Sequence, residues 1–96
     1  MDILITYDVN TLTKDGRKRL RHVAKECKNF GQRVQFSVFE CSVDEMQMEI
    51  FRKRLLDIIN KDEDSLRVYK FRGGRKDTVE SYGINRYIDF TEPLII

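Results

Sequence analysis

The chain has 96 residues, of which 41% are hydrophobic and 35% charged, and its formal net charge is +2. These values fit one globular domain, and a chain this short buries only about two-thirds of its unfolded surface, so burial against a second chain would stabilise it. No apolar run approaches the roughly 18 residues of a membrane span, and the N-terminal one is too short for a signal peptide, so we expect a cytoplasmic protein without membrane contact.

The first predicted element is a strand. Residues 3–9 read ILITYDV, and their β-branched and aromatic content is typical of a buried strand. Asp8 stands at the end of this run, although a solvated carboxylate is not expected in an apolar segment. Because a loop with glycine and basic residues follows, this carboxylate is well placed to hold a cation near a phosphate.

A basic amphipathic helix is predicted next. From Arg17 to Phe30 apolar residues recur three and four positions apart, with Asp15 as the N-cap and Gly31 as the residue after the last turn. His22 lies off the apolar stripe and is expected to be exposed. A solvated face and a phosphate-binding face explain the basic residues about equally well. These residues are Lys14, Arg17, Lys18, Arg19, Arg21 and Lys25.

In the middle of the chain, the pattern of apolar residues predicts a strand region followed by a second helix. Within residues 32–41 the alternation of apolar residues changes parity after Val38, which indicates either a bulge or two short strands joined tightly. The pattern S-x-x-E at 42–45 fits a capping box, and apolar spacing continues the second helix to about Asn60.

The last third is less regular. A strand is predicted over 66–71, a flexible basic loop containing two glycines over 72–76, and a short strand over 87–90. Cys27 and Cys41 lack metal-ligand spacing, so we expect them to be free, buried thiols.

This order of elements predicts an α+β fold. It fits a ferredoxin-like sandwich, with an antiparallel sheet that carries two helices on one face. Residues 1–96 would form one domain, with a core at 1–71 and a loop and C-terminal strand at 72–96. Since both parities of several strands are apolar, we expect the bare sheet face to meet a second copy of the chain.

Four segments together carry a family resemblance: LITYDV at 4–9, RLRHVAK at 19–25, GQRVQFSVFEC at 31–41 and DSLRVY at 64–69. They resemble the CRISPR-associated protein 2 family, the small subunit of the spacer-acquisition machinery. The resemblance covers roughly residues 1–71 and implies a symmetric homodimer whose C-terminal strand pairs with the partner's sheet. It also implies metal-dependent endonuclease activity on RNA or DNA, and a second role in bridging dimers of the integrase subunit.

The same resemblance assigns the metal-binding and catalytic aspartate to Asp8, with Tyr7, Arg19, Arg33 and Phe39 near it. One carboxylate holds Mg²⁺, or a similar cation such as Mn²⁺, too weakly to organise hydrolysis. A two-fold axis beside Asp8 would supply the second carboxylate. Tyr7 and Phe39 would support the site as core or interface aromatics. The expected contacts to nucleic acid are Arg17, Lys18, Arg19, Arg21, Arg33, Arg75 and Lys76.

Three functions stay open at this point. The first is a Mg²⁺-dependent endonuclease acting on RNA or double-stranded DNA at a pair of Asp8 residues. The second is a scaffold that binds DNA between integrase dimers, for which Asp8 is incidental. The third is a toxin-like ribonuclease of similar fold. The chain shows no motif that would contact the edges of bases, so we do not expect specificity for a nucleotide sequence.

Overall fold

The computed structural model describes residues 1–71 and 79–84. Within them every strand pairing is antiparallel, and the sheet has the order β2-β3-β1-β4-β5. The first four of these strands follow the ferredoxin-like order, and β5 extends the sheet beyond β4. The elements are β1 (Asp2–Asp8), α1 (Lys14–Phe30), β2 (Gly31–Gln35), β3 (Val38–Ser42), α2 (Glu45–Ile58), β4 (Ser65–Lys70) and β5 (Val79–Gly83).

The core lies between the sheet and the two helices. In β1, Ile3, Ile5 and Tyr7 are buried, whereas the alternate residues are half-buried or exposed, as expected for a strand with one covered face. The rings of Phe30 in α1 and Phe51 in α2 stack with centroids 4.4 Å apart, which joins the helices over that face. The predicted α+β fold, an antiparallel sheet with two helices on one face, is confirmed.

The predicted ends of α1 need correction. Its N-cap is Thr13, whose side-chain oxygen accepts a hydrogen bond from the Gly16 amide at 3.0 Å, and not Asp15, which lies in the first turn. Gly31 does follow the last turn, but its backbone is extended, and it starts β2 directly. A Cβ there would collide with the carbonyl oxygen of Glu40, so glycine is needed for the close approach of two strands.

The capping box of α2 was predicted two residues too early. Asp44 is the N-cap: its carboxylate accepts a hydrogen bond from the Gln47 amide at 2.7 Å, and the Gln47 side chain accepts one from the Asp44 amide at 2.9 Å. Ser42 instead ends β3, where it is paired with Asp2 of β1. The helix ends at Ile58, close to the predicted end.

The predicted break in the middle strand is real, and it takes the form of two short strands joined tightly. The joint lies at residues 36–37, ahead of the predicted parity change after Val38. A register shift between Arg33 and Gln35 adds an irregularity within β2. The strand predicted at 66–71 is β4, shifted by one residue.

Two further predictions are confirmed and two cannot be placed. Both cysteines are free and buried, and burial raises the pKa of the Cys41 thiol to about 11, so it stays protonated. His22 is exposed on α1. The basic loop at 72–76 and the strand at 87–90 lie outside the described residues. In the part of the chain that is described, no helix is both long and apolar enough to cross a bilayer.

Candidate functional site

Asp8 is the last residue of β1, at the strand end where the sequence predicts it, and its side chain is exposed. Its cross-strand partner is Ser65, the first residue of β4. Since side chains alternate along a strand and Tyr7 faces the helices, Asp8 lies on the open face of the sheet. Leu4 and Tyr69, which are register partners on that face, are only half-buried in the single chain.

Tyr7 holds the end of β1 in place from the helix-covered face of the sheet. Its side chain is 6% exposed, and its hydroxyl donates a hydrogen bond to the Phe36 carbonyl oxygen at 3.2 Å. Its amide also donates to the Ser37 carbonyl oxygen at 3.1 Å. Burial raises the pKa of the phenol, although Arg33 opposes the shift, so the hydroxyl remains a donor. The ring stacks on buried Phe39 with centroids 6.3 Å apart, so both predicted aromatics belong to the core.

Two arginines flank a small pocket on one side of Tyr7. The guanidinium carbon of Arg33 lies 5.2 Å from the centroid of the Phe39 ring, a cation–π contact that orients an otherwise exposed side chain. Arg21 of α1 lines the same pocket, whose volume is about 230 Å³, together with Phe36. The structure therefore brings two of the predicted phosphate contacts together beside Tyr7, on the helix-covered side of β1, whereas Asp8 lies on the open face.

The other exposed basic residues extend this charge along α1. Arg17 donates a hydrogen bond to the Thr11 carbonyl oxygen at 3.2 Å, and Lys18 is exposed. The acidic residue Glu26 of the same helix is paired with Arg54 of α2 at 3.0 Å. The predicted contacts Arg75 and Lys76 lie outside the described residues. We call Arg17, Lys18, Arg21 and Arg33 the basic surface.

Arg19 has a different environment from the one expected of a nucleic-acid contact. Its side chain is only 16% exposed, its Nε donates to Asp64 at 2.9 Å, and one terminal nitrogen lies 3.1 Å from a Glu63 oxygen. The guanidinium is thus held by carboxylates inside the fold, and we leave Arg19 out of the basic surface.

Asp64 is a residue that the sequence reasoning missed. It is fully buried and also accepts hydrogen bonds from the backbone amides of Asn10 at 3.0 Å and Asn60 at 2.8 Å. Burial alone would raise the pKa of this carboxyl, but the Arg19 hydrogen bond and the two amides outweigh burial, and the pKa is lowered. The available signal was the resemblance itself, since Asp64 opens the fourth matching segment.

A second carboxylate cluster lies farther along the sheet. Glu80 of β5 accepts two hydrogen bonds from Arg52 of α2, both at 2.8 Å, and one from the Tyr82 hydroxyl at 2.9 Å. Lys70 of β4 lies 2.6 Å from the same carboxylate. Burial opposes ionisation of Glu80, but these partners prevail and lower its pKa to about 2.

Comparison with known proteins identifies the class. The family model described as CRISPR associated protein Cas2 matches residues 1–79. A CRISPR-associated endoribonuclease Cas2 of Moorella thermoacetica is 56% identical over the full length of both chains. A CRISPR-associated endonuclease Cas2 of Halalkalibacterium halodurans is 50% identical over 99% of each chain. These relatives are named as nucleases of CRISPR systems.

The fold agrees with that class. The crystal structure of Streptococcus pyogenes Cas2 at pH 6.5 aligns with a TM-score of 0.71 and 52% identity, covering 86% of this chain and all of the other. The sequence match and the fold match thus agree over most of the molecule. The chain belongs to the CRISPR-associated protein Cas2 family, which confirms the resemblance drawn from the sequence.

Proposed function

We propose that this chain is a homodimeric, Mg²⁺-dependent endonuclease that cleaves RNA or double-stranded DNA at a site formed by two Asp8 residues, and that it serves CRISPR spacer acquisition. The observation that carries the proposal is the exposed Asp8 carboxylate at the end of a core strand, on the open face of the sheet. The family and the nuclease names of its relatives support hydrolysis of phosphodiester bonds as the activity.

The donor chemistry fits a hard cation only if two chains share it. Carboxylate oxygens are the ligands that Mg²⁺ and Mn²⁺ prefer. Across residues 1–71 and 79–84, however, no group of three or more His, Cys, Asp or Glu side chains could hold a metal ion. Within these described residues Asp8 therefore does not belong to a ready-made cluster of metal-binding side chains, and the proposed site takes its second carboxylate from Asp8 of a second copy.

The open face offers a surface for that second copy. Leu4 and Tyr69 are apolar neighbours on the same face as Asp8, and their remaining exposed area would be buried in a face-to-face dimer. A two-fold axis near Asp8 presents the same patch twice, so both carboxylates would meet at the interface. The C-terminal strand predicted at 87–90 would add pairing between the chains.

In such a dimer, the residues of each chain would have separate roles in binding the cation and the substrate. The two Asp8 carboxylates would bind and orient the cation, while Tyr7 and Phe39 hold the strand end from the core side. On the helix side of the same strand end, Arg21 and Arg33 would hold a substrate phosphate other than the one at the cation, and Arg17 and Lys18 would extend the contact. A bound cation supplies Lewis acidity to a phosphoryl oxygen and acidifies a bound water.

The test compares two aspartates on one strand. Asp2 is exposed at the opposite end of β1 and has the same parity as Asp8, so Asp2→Asn is a matched control for Asp8→Asn. Wild type and both variants would be assayed on RNA and on duplex DNA, with and without Mg²⁺. We expect Asp8→Asn to abolish cleavage without weakening nucleic-acid binding, and Asp2→Asn to cleave normally. Cleavage by Asp8→Asn at the wild-type rate would refute the proposal.

The exposed basic surface also favours a second function. It extends along α1 beyond the strand end that carries Asp8, which suits a scaffold that holds DNA between dimers of an integrase subunit. In that case a strain with Asp8→Asn still acquires spacers, whereas removal of the basic surface prevents acquisition. No observation favours the toxin-like ribonuclease.

A further inference from the structure

We propose that Asp64 is a positioning residue for the Asp8 site: from the helix side of the sheet, its carboxylate fixes the backbone that leaves β1 directly after Asp8. The inference rests on the proposed function, because it assigns a task to a residue behind the same site. It concerns Asp64 and its partner Arg19, and neither is required to touch the substrate or the cation.

The first observation is the burial of a charge. Within the described ranges Asp64 is the one polar or charged residue that is fully buried. A buried ion pair is weak evidence of a contribution to stability, because well-packed apolar residues often do as well or better in its place. A reason other than stability is therefore needed to explain why a carboxylate occupies this position.

The second observation is what the carboxylate holds. One oxygen accepts the Asn10 amide at 3.0 Å, and the other accepts the Asn60 amide at 2.8 Å and Arg19 Nε at 2.9 Å. Asn10 follows β1, Asn60 follows α2, and Arg19 belongs to α1. A single side chain thus joins three separate parts of the chain at the end of the sheet that carries Asp8.

The third observation is the position of Asp8 relative to this junction. Asp8 is the last residue of β1 and pairs with Ser65, which directly follows Asp64, while Asn10 lies two residues after Asp8. The sheet no longer holds the chain at Asn10, and the hydrogen bond to Asp64 replaces it there. Both strands on which Asp8 depends are therefore anchored by one carboxylate.

The backbone of Asp64 is fixed as firmly as its side chain. Its carbonyl oxygen accepts the Ile84 amide at 2.8 Å, and its amide donates to the Asn60 carbonyl oxygen at 2.7 Å. Gly83 has a φ of 81°, and a Cβ at that position would collide with the Asp64 carbonyl oxygen. A site that shares one cation between two chains demands such rigidity, because ligands must be held to within about half an ångström.

The test uses two carboxylate-to-amide substitutions. Both Asp64 oxygens accept hydrogen bonds from nitrogen donors, so in Asp64→Asn the new NH₂ group faces a donor whichever way the amide turns. Glu80→Gln makes the same chemical change in a cluster that holds Arg52, Lys70 and Tyr82 rather than the end of β1. It is the matched control for loss of a partly buried ion pair that does not hold the end of β1.

Three readouts would be compared at temperatures where each protein is folded. They are amide hydrogen exchange at Asn10, Mn²⁺ affinity by calorimetry, and kcat for cleavage, with nucleic-acid binding in EDTA as a check on the basic surface. In Asp64→Asn we expect faster exchange at Asn10 and a loss of roughly 10- to 100-fold in Mn²⁺ affinity and kcat, the usual effect of losing an outer-shell partner. Binding in EDTA should be unchanged, and Glu80→Gln should match wild type in all three readouts.

Arg19→Lys keeps the test decisive if Asp64→Asn does not fold. It retains the positive charge but loses the paired N–H groups that grip Asp64, so the same losses are expected on a smaller scale. The inference is overturned if Asn10 exchange, Mn²⁺ affinity and kcat stay at wild-type values in the folded variant. It is also overturned if Glu80→Gln loses as much as Asp64→Asn. Wild-type cleavage that Asp8→Asn does not reduce would instead overturn the proposed function.

Discussion

Two carboxylate clusters in this small protein use the same chemistry for different ends. Asp64 is fully buried and binds two backbone amides besides Arg19. The side chain of Glu80 is 18% exposed and, among the described residues, accepts its hydrogen bonds from side chains. The Glu80 cluster fastens β5 to β4 and α2 through Arg52 and Lys70. The Asp64 cluster instead fixes the chain where it leaves the strand that carries Asp8. The two carboxylates carry the same charge and differ in the groups they bind. Asp64 binds the backbone next to Asp8, whereas Glu80 binds side chains that join β5 to its neighbours.

The largest expected effect is the loss of stability in Asp64→Ala. The substitution would leave the amides of Asn10 and Asn60 without their acceptor in a buried place and would leave the Arg19 guanidinium with Glu63 as its remaining carboxylate partner. Breaking a buried ion pair from one side costs about 3–5 kcal/mol, which is a large part of the stability of a domain this size. Urea unfolding measures it, and a loss below about 1 kcal/mol would show that the junction is not anchored by Asp64.

Glu80→Ala should lower the free energy of unfolding by less than Asp64→Ala does. Its partners Arg52 and Lys70 are 22% and 25% exposed and can turn to water, so we expect a loss of about 1–3 kcal/mol. Cleavage per folded molecule should not change, because Glu80 does not hold the end of β1. If cleavage falls more than the folded fraction does, the contrast between the two clusters fails.

Acid should remove the contribution of Glu80. Its folded-state pKa is about 2 against an ordinary 4.5, so its ion pairs stabilise the fold fully above pH 4.5, and this stabilisation is lost as pH falls toward 2. Asp64, whose pKa is also lowered, contributes in the same direction. The difference in melting temperature between wild type and Glu80→Gln should therefore shrink steadily below pH 4.5. A constant difference down to pH 2 would contradict the assignment.

The smallest expected effect is a change in the salt dependence of DNA binding, which should differ between exposed Arg17 and ion-paired Arg19. Arg17→Gln should lower the log–log salt slope of DNA binding by about 0.9, the value for one lost phosphate contact on duplex DNA. Arg19→Gln should leave that slope unchanged because its guanidinium already binds Asp64 and Glu63. Titrations from low to moderate salt would decide this, and equal slopes for the two variants would remove the distinction.

The fold was largely predictable because its signals are local. The β-branched and aromatic content of residues 3–9 placed β1, the apolar residues of 66–71 placed β4, and helical spacing placed both helices to within a few residues. The strand β5 was missed because its helix-facing positions carry Glu80 and Tyr82, so the expected apolar pattern is absent. Glu80 is paired with Arg52, which lies 28 residues earlier in the chain, so no short window of sequence contains this ion pair.

The candidate site was predictable only in part. Asp8 was singled out because a carboxylate at the end of an apolar strand is unusual, and the structure places it there. Arg19 and Arg17 look alike in the sequence, since both are basic residues near the start of one helix. Their difference arises from Asp64, which lies 45 residues after Arg19 and is brought to it only by folding.

The central claim is that two chains share one cation through Asp8. Titration calorimetry with Mn²⁺ on the wild-type protein measures the number of cations bound per chain directly, with Asp8→Asn and Asp2→Asn in parallel. We predict one cation bound for every two chains in wild type and in Asp2→Asn, and none in Asp8→Asn. One cation per chain, or binding that survives in Asp8→Asn, would contradict the shared site.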